Sequence, residues 1–176
     1  MGGPSDDSAR RIVADANNNL TITGSFLGTA DLGGGNVTSR GAADIFVAGF
    51  SNAGAYRWHK SLGGTLGDGG QDVAVDAEGN VYVTGHVLGA ADLGAGSVAG
   101  KGEYDVFLSS FSESGVPRWQ KSIGGTWSDW GYGVAIDPNG DICLAGHFQG
   151  TADLGDGDIT ARGNYDVFLV KFAPRF

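Results

Sequence analysis

The loop at 125–133, GTWSDWGYG, holds the residues of this sequence that are best suited to binding a ligand. Three aromatic residues, Trp127, Trp130 and Tyr132, stand around one carboxylate, that of Asp129. Aromatic faces suit stacking on sugar rings, and binding residues concentrate on loops that a rigid scaffold positions. We therefore predict a ligand-binding site at Trp127, Asp129, Trp130 and Tyr132, with a glycan as the candidate ligand. The alternative is that these rings pack against a neighbouring sheet or a second copy of the chain.

Catalytic chemistry has no recognisable motif in this chain. The sequence contains no G-x-S-x-G, no H-E-x-x-H and no phosphate-binding loop. His86 and His147 are equivalent to each other in the repeat described below, whereas His59 is not equivalent to either. A zinc site needs roughly three or four convergent ligands. We predict that the protein is not an enzyme and that it has no catalytic residue, no metal ligand and no cofactor.

Carboxylates nevertheless recur at fixed positions, and two interpretations of them stay open. The recurring sets are Asp15, Asp76 and Asp137; Asp31, Asp92 and Asp153; and Asp44, Asp105 and Asp166. Aspartate caps turns by accepting hydrogen bonds from the amides that follow it, and this is our interpretation. Calcium takes about six to eight oxygen ligands, more than one aspartate per loop supplies. The more distant alternative is a metal-assisted hydrolase or lactonase with a cation at a channel mouth.

The recurrence reflects an internal repeat with a period of 61 residues. The segment GTADLG stands at 28–33 and 150–155, with GAADLG between them at 89–94. The copies span approximately 1–61, 62–122 and 123–176, and the third lacks the part that would match 116–122. A period of this length indicates an array, a solenoid or a propeller.

Each copy predicts four short strands, which in the first copy lie at 11–15, 20–24, 44–50 and 56–61. They are rich in Val, Ile, Phe, Tyr and Thr and are bounded by Gly, Asn and Asp. No segment has the apolar spacing of a helix. The third strand is apolar on both faces, so both faces must be covered. We predict an all-β fold of four-stranded antiparallel β-propeller blades; a parallel β-helix, with shorter coils, is the alternative.

Two segments carry a resemblance to a known family: DVAVDAEGNVYVTG at 72–85 and GVAIDPNGDICLAG at 133–146. They resemble the bacterial β-propeller repeats of the SBBP type and, more distantly, NHL repeats. The resemblance implies a first strand that is innermost, a fourth that is outermost, and no shared catalytic residue. It also implies a large bacterial parent protein, often extracellular or at the cell surface. The family name implies seven blades, whereas this chain has three copies.

Three blades do not complete a propeller, which has about four to eight. The outer faces of the first and third blades would leave apolar surface in contact with water. We predict one half-ring domain at 1–176 whose partner is itself, two copies forming a six-bladed homodimeric ring. The predicted function is a non-enzymatic binding or assembly scaffold. The carbohydrate-binding propeller and the hydrolase are the alternatives.

The charge of the chain bears on its partners. A net charge of −9 disfavours nucleic acid and anionic membrane surfaces. No apolar run reaches the ~18 residues of a membrane-spanning helix. The first residues lack the basic and then apolar pattern of a signal peptide. Cys143 is the single cysteine, so no disulfide forms within the chain.

Overall fold

The computed structural model describes residues 1–173, in which every regular element is a β-strand. The strands are β1 Asp7–Ala14, β2 Leu20–Phe26, β3 Thr29–Asp31, β4 Asn36–Thr38, β5 Asp44–Phe50, β6 Tyr56–Gly64, β7 Gly69–Val75, β8 Val81–Leu88, β9 Ala91–Asp92, β10 Ser97–Val98, β11 Tyr104–Phe111, β12 Pro117–Gly125, β13 Trp130–Ile136, β14 Ile142–Phe148, β15 Thr151–Asp153, β16 Asp158–Thr160 and β17 Asp166–Phe172. The predicted all-β fold is confirmed. Strand β1 begins earlier than predicted because Asp7 pairs with Phe26 at the far end of β2.

The longer strands form three antiparallel sheets that follow the repeat. The first sheet has the order β1-β2-β5-β6 and the second the order β7-β8-β11-β12. Within the described residues the third sheet has the order β13-β14-β17. Successive strands of each sheet are therefore neighbours, as the four-strand repeat predicts for the first two sheets.

A short hairpin lies between the second and third strands of each sheet; the second and third hairpins pair with the end of the preceding sheet, and the first pairs with Gly2. These hairpins are β3-β4, β9-β10 and β15-β16. Gly63 at the end of β6 pairs with Asp92 of β9, and Gly124 at the end of β12 pairs with Asp153 of β15. The recurring GTADLG segments form these hairpins. The strands of these hairpins have two or three residues and were not predicted, because so few residues do not show a recognisable alternation of apolar and polar side chains.

Aspartates close the turns between the first and second strands. The Oδ1 atom of Asp76 accepts hydrogen bonds from the backbone nitrogens of Glu78, at 3.1 Å, and Asn80, at 2.7 Å. Asp15 and Asp137 accept the equivalent bonds in the other copies. The interpretation of this set as turn caps is confirmed, and the same bonds make the three turns alike.

The sheets pack face to face, and two hydrophobic cores lie between them. Strand β1 lies beside β7, and β7 lies beside β13. Ile45 and Val47 of β5 pack into the second sheet, and Val106 and Leu108 of β11 pack into the third. All four side chains are fully buried. We call these two interfaces the internal joints.

The third sheet carries the same apolar residues, and within residues 1–173 no sheet covers them. Val167 and Leu169 lie in β17, 61 residues after Val106 and Leu108, and their exposed fractions are 83% and 75%. The neighbouring strand β14 pairs Ala145 with Leu169, so both side chains lie on one face. We call this face the third-sheet wall and define it by Cys143, Ala145, Val167 and Leu169.

The equivalence of Leu108 and Leu169 gives a matched test of the stacking. We expect Leu108→Ala to lower the free energy of unfolding by about 2–5 kcal/mol, because it leaves a cavity inside a joint. Leu169→Ala should change it by less than about 0.5 kcal/mol in protein dilute enough to be monomeric. Urea unfolding measures both. Equal losses for the two variants would contradict the face-to-face packing.

Candidate functional site

Trp130 lies between two sheets. It begins β13, and its ring centroid lies 3.8 Å from that of His86 at an interplanar angle of 32°. The ring of Tyr104 lies 5.1 Å away. Because His86 and Tyr104 both belong to the second sheet, the indole of Trp130 is a packing element of the second internal joint.

Asp129, next to Trp130 in the chain, is fully buried. Its carboxylate accepts hydrogen bonds from the backbone nitrogens of Gly125, at 2.7 Å, and Gln149, at 3.1 Å. Burial raises the pKa of Asp129, and the neighbouring charge of Asp105 raises it further. The side chain therefore holds two chain segments together and does not face solvent.

Trp127 and Tyr132 present their rings to water, with exposed fractions of 51% and 50%. The Trp127 ring lies against Gly150, where an added β-carbon would stand 2.5 Å from Cδ1. The Tyr132 ring lies 5.2 Å from that of His147. The structure thus places Trp127 and Tyr132 at the surface, Trp130 half-buried between two sheets, and Asp129 in the interior.

A longer row of rings runs from the second internal joint to the third-sheet wall. Adjacent members of the row have centroids between 3.8 and 6.3 Å apart: His86, Tyr104, Trp130, Tyr132, His147 and Tyr165. Tyr165 and His147 were not predicted as site residues. The signal that identifies them is the repeat, because they stand 61 residues after Tyr104 and His86.

The two histidines of the row are held neutral by their surroundings. Desolvation, with a smaller effect from the charge of Arg10, lowers the pKa of His86 to about 4. Desolvation also lowers the pKa of His147. Since a neutral imidazole stacks without burying a charge, the row behaves as an aromatic surface at neutral pH.

Two pairs of buried aspartates lie where each fourth strand ends. A β-carbon added at Gly124 would stand 2.6 Å from Oδ1 of Asp105 and 2.6 Å from Oδ2 of Asp129. The pair formed by Asp44 and Asp68 flanks Gly63 in the same way. Gly124 itself has φ +151°, where only glycine is unstrained. The carboxylates therefore approach each other only because no side chain separates them.

Burial raises the pKa of all four carboxyls: Asp44, Asp68, Asp105 and Asp129. The Oδ1 atoms of Asp44 and Asp105 have no hydrogen-bond partner in the described structure. An unpartnered buried oxygen beside a second carboxylate favours the protonated form of one member. Each pair is thus suited to holding a proton.

A cavity of about 460 Å³ opens between the hairpin turns of the second and third sheets. Its polar lining is already engaged. Asp76 accepts a hydrogen bond from the hydroxyl of Tyr82 at 2.9 Å, and Arg118 donates to the same hydroxyl at 3.4 Å. The cavity thus has few free polar groups with which to orient a ligand.

Metal-binding groups do not cluster in the part of the chain that the structure describes: residues 1–173 contain no group of three or more His, Cys, Asp or Glu placed to hold an ion. The same residues include no helix of the length and apolarity that crossing a membrane demands.

Comparison with known proteins identifies the repeat. Residues 57–86 match the family model described as "SBBP: Beta-propeller repeat", which confirms the resemblance seen in the sequence. The chain is 22% identical over 183 residues to "Uncharacterized WD repeat-containing protein L264" of Acanthamoeba polyphaga mimivirus. This match covers 85% of the chain and 13% of the length of that relative. The chain thus spans a small part of the viral protein, whose name also refers to repeats.

The aspartate pairs predict a pH dependence of stability. The pKa values of these carboxyls are higher in the folded state than in the unfolded state. The protonated pair therefore contributes its full stability below the ordinary Asp pKa of about 4, and this contribution is lost as the pH rises through the raised pKa values. In Asp105→Asn the amide can donate toward Asp129 without binding a proton. We expect its advantage in Tm over the wild type to grow between about pH 4 and 7, each kcal/mol appearing as about 2–4 °C.

The matched control is Asp166→Asn, at the equivalent position of the open third sheet. Its difference from the wild type should stay constant over the same pH range. Melting curves followed by circular dichroism measure both variants. If the Asp105→Asn and wild-type values run parallel across this range, the pair does not hold a proton.

Proposed function

We propose, from the match of residues 57–86 to a β-propeller repeat, that the chain is a non-enzymatic propeller scaffold whose two ends pair between copies. Two chains of three blades would then form a closed six-bladed ring. The observation that carries this proposal is the exposure of Val167 and Leu169, whose equivalents are fully buried in both internal joints. Exposed apolar patches of this kind mark interaction surfaces.

The outer face of the first sheet offers a matching recess. A cavity of about 230 Å³ opens there, with Ala9 and Phe46 in its lining. In the second sheet the equivalent space, beside Gly70, is filled by the first sheet: a β-carbon added at Gly70 would stand 3.0 Å from Cγ2 of Ile45. Val167 is the equivalent of Ile45. The recess is therefore the place where the third-sheet wall of a second copy would insert.

The side chains at this new joint also match in volume. Within the chain, a β-carbon added at Gly131 would stand 2.4 Å from Oγ1 of Thr84, so the joint needs a glycine opposite that hydroxyl. Between two chains, Ala9 of one chain would take the place of Gly131, and Ala145 of the other would take the place of Thr84. The first sheet gains a methyl group where Gly131 has none, and the third sheet loses the hydroxyl and one methyl group of Thr84, which makes room for that methyl and supports pairing of the first and third sheets.

The mass in solution tests the pairing. We expect the wild type to run at the mass of two chains in light scattering at micromolar concentration, and Leu169→Lys at the mass of one, because a lysine buried in the joint would lack a partner. Val116→Lys is the control, since Val116 is exposed but lies at the turn between β11 and β12. A wild type of one-chain mass would contradict the proposal, and a larger open assembly would contradict ring closure.

Carbohydrate binding is the second candidate function, and the half-exposed rings of Trp127 and Tyr132 support it. We expect Trp127→Ala and Tyr132→Ala each to weaken binding on a glycan array, since each removes a stacking face. Leu66→Ala is the matched control, because Leu66 is the exposed residue of the second copy that is equivalent to Trp127. An array on which the wild type binds no glycan removes this candidate.

A further inference from the structure

In the second internal joint, the side chains of His86 and Tyr104 form a binding position for a flat ring, which we call the seat. His86 and Tyr104 face each other nearly edge to face, with centroids 5.3 Å apart and an angle of 84°. The indole of Trp130, from the following sheet, stacks on His86 at 3.8 Å and contacts Tyr104 at 5.1 Å. The Nδ1 atom of His86 has no hydrogen-bond partner in the part of the chain that the structure describes. This seat therefore holds its ring by stacking and not by hydrogen bonds.

The same pair of residues recurs on the third-sheet wall. His147 and Tyr165 are the equivalents of His86 and Tyr104, and their centroids lie 4.6 Å apart at an angle of 54°. The backbone around them is also the same, since His86 pairs with Val106 and His147 with Val167. Here no following sheet of the described chain supplies an indole, and Tyr165 is 53% exposed.

We infer that His147 and Tyr165 form a binding site for a flat aromatic ring of indole size, which the pairing of copies proposed above would enclose. In the first sheet of a second chain, the residue at the position equivalent to Trp130 is Ser8. Its side chain is far smaller than an indole and lines the recess of the first sheet. The paired joint would thus keep the His147 and Tyr165 pair, beside which Trp130 and Tyr132 of the same sheet lie at 6.3 and 5.2 Å from His147, and would lack an indole from the adjoining sheet. Enclosure rests on the proposed function, whereas the stacking pair belongs to one chain.

The type of contact distinguishes this ligand from a sugar. The filled seat between His86 and Tyr104 holds the indole of Trp130 through ring faces, and within residues 1–173 Nδ1 of His86 has no hydrogen-bond partner. A sugar ring enclosed in such a site would have few polar groups to pair with its several hydroxyls, whereas a flat apolar ring needs none. The proposed ligand is therefore different in chemistry from the glycan proposed for Trp127 and Tyr132, although Tyr132 borders both sites.

Indole itself is the probe for this site. We expect the wild type to bind it in calorimetry and to show shifts of the His147 ring signals in NMR. Tyr165→Ala should weaken the affinity by about two- to tenfold, the value of one aromatic contact. The substitution is compatible with the fold because the first copy has Ala43 at this position. Tyr56→Ala, which removes a partly exposed ring of the first sheet, should leave the affinity unchanged.

Ser8→Trp tests whether the joint encloses the site. The new indole would take the place that Trp130 takes in the second internal joint, so it should abolish indole binding and strengthen the pairing of chains. If the wild type is monomeric and Tyr165→Ala still weakens binding, the stacking site stands and its enclosure is wrong. If the wild type has the mass of two chains but does not bind indole, or binds it equally well after Tyr165→Ala, the inference fails and the proposed pairing does not.

Discussion

The structure depends on one constraint: each sheet is apolar on both faces and must be covered on both. Ile45 and Val47 satisfy it in the first internal joint, and Val106 and Leu108 satisfy it in the second. When the sheets stack, each interior face is covered by its neighbour, and the outer faces of the first and third sheets are the ones that still need a cover. The ends of a short stack are thus the surfaces with the largest free energy to gain from a partner.

The joints also explain where the three copies differ in sequence. The positions that hold hydrogen bonds of the turns, such as Asp76, keep their residue type in every copy. Positions that face the next sheet vary: Ser25, His86 and His147 are equivalent, yet only the two histidines stack on aromatic rings. A side chain at a joint needs to match only its local partner, so compensating changes accumulate there.

Buried charge follows from the same architecture. The fourth strand of one sheet ends beside the hairpin of the next, and the glycine required there, Gly124 or Gly63, admits two carboxyls into a small space. Asp129 anchors two segments through backbone amides, so its burial has a structural benefit. The raised pKa values are the consequence of that burial. A residue that looked suited to ligand binding in the sequence is part of the framework of the fold.

Local chemistry determined much of this protein from the sequence alone. The all-β class, the strand at 44–50 and the aspartate turns each depend on residues within a few positions of one another, and the period of 61 residues is read directly from the sequence. Only the tertiary structure decided which of the clustered residues face solvent. Trp127 and Trp130 are separated by two positions, yet one lies at the surface and the other between sheets, because a joint is formed by residues far apart in the chain. His147 and Tyr165 are 18 positions apart in the chain, and the pairing of β14 with β17 brings their rings together.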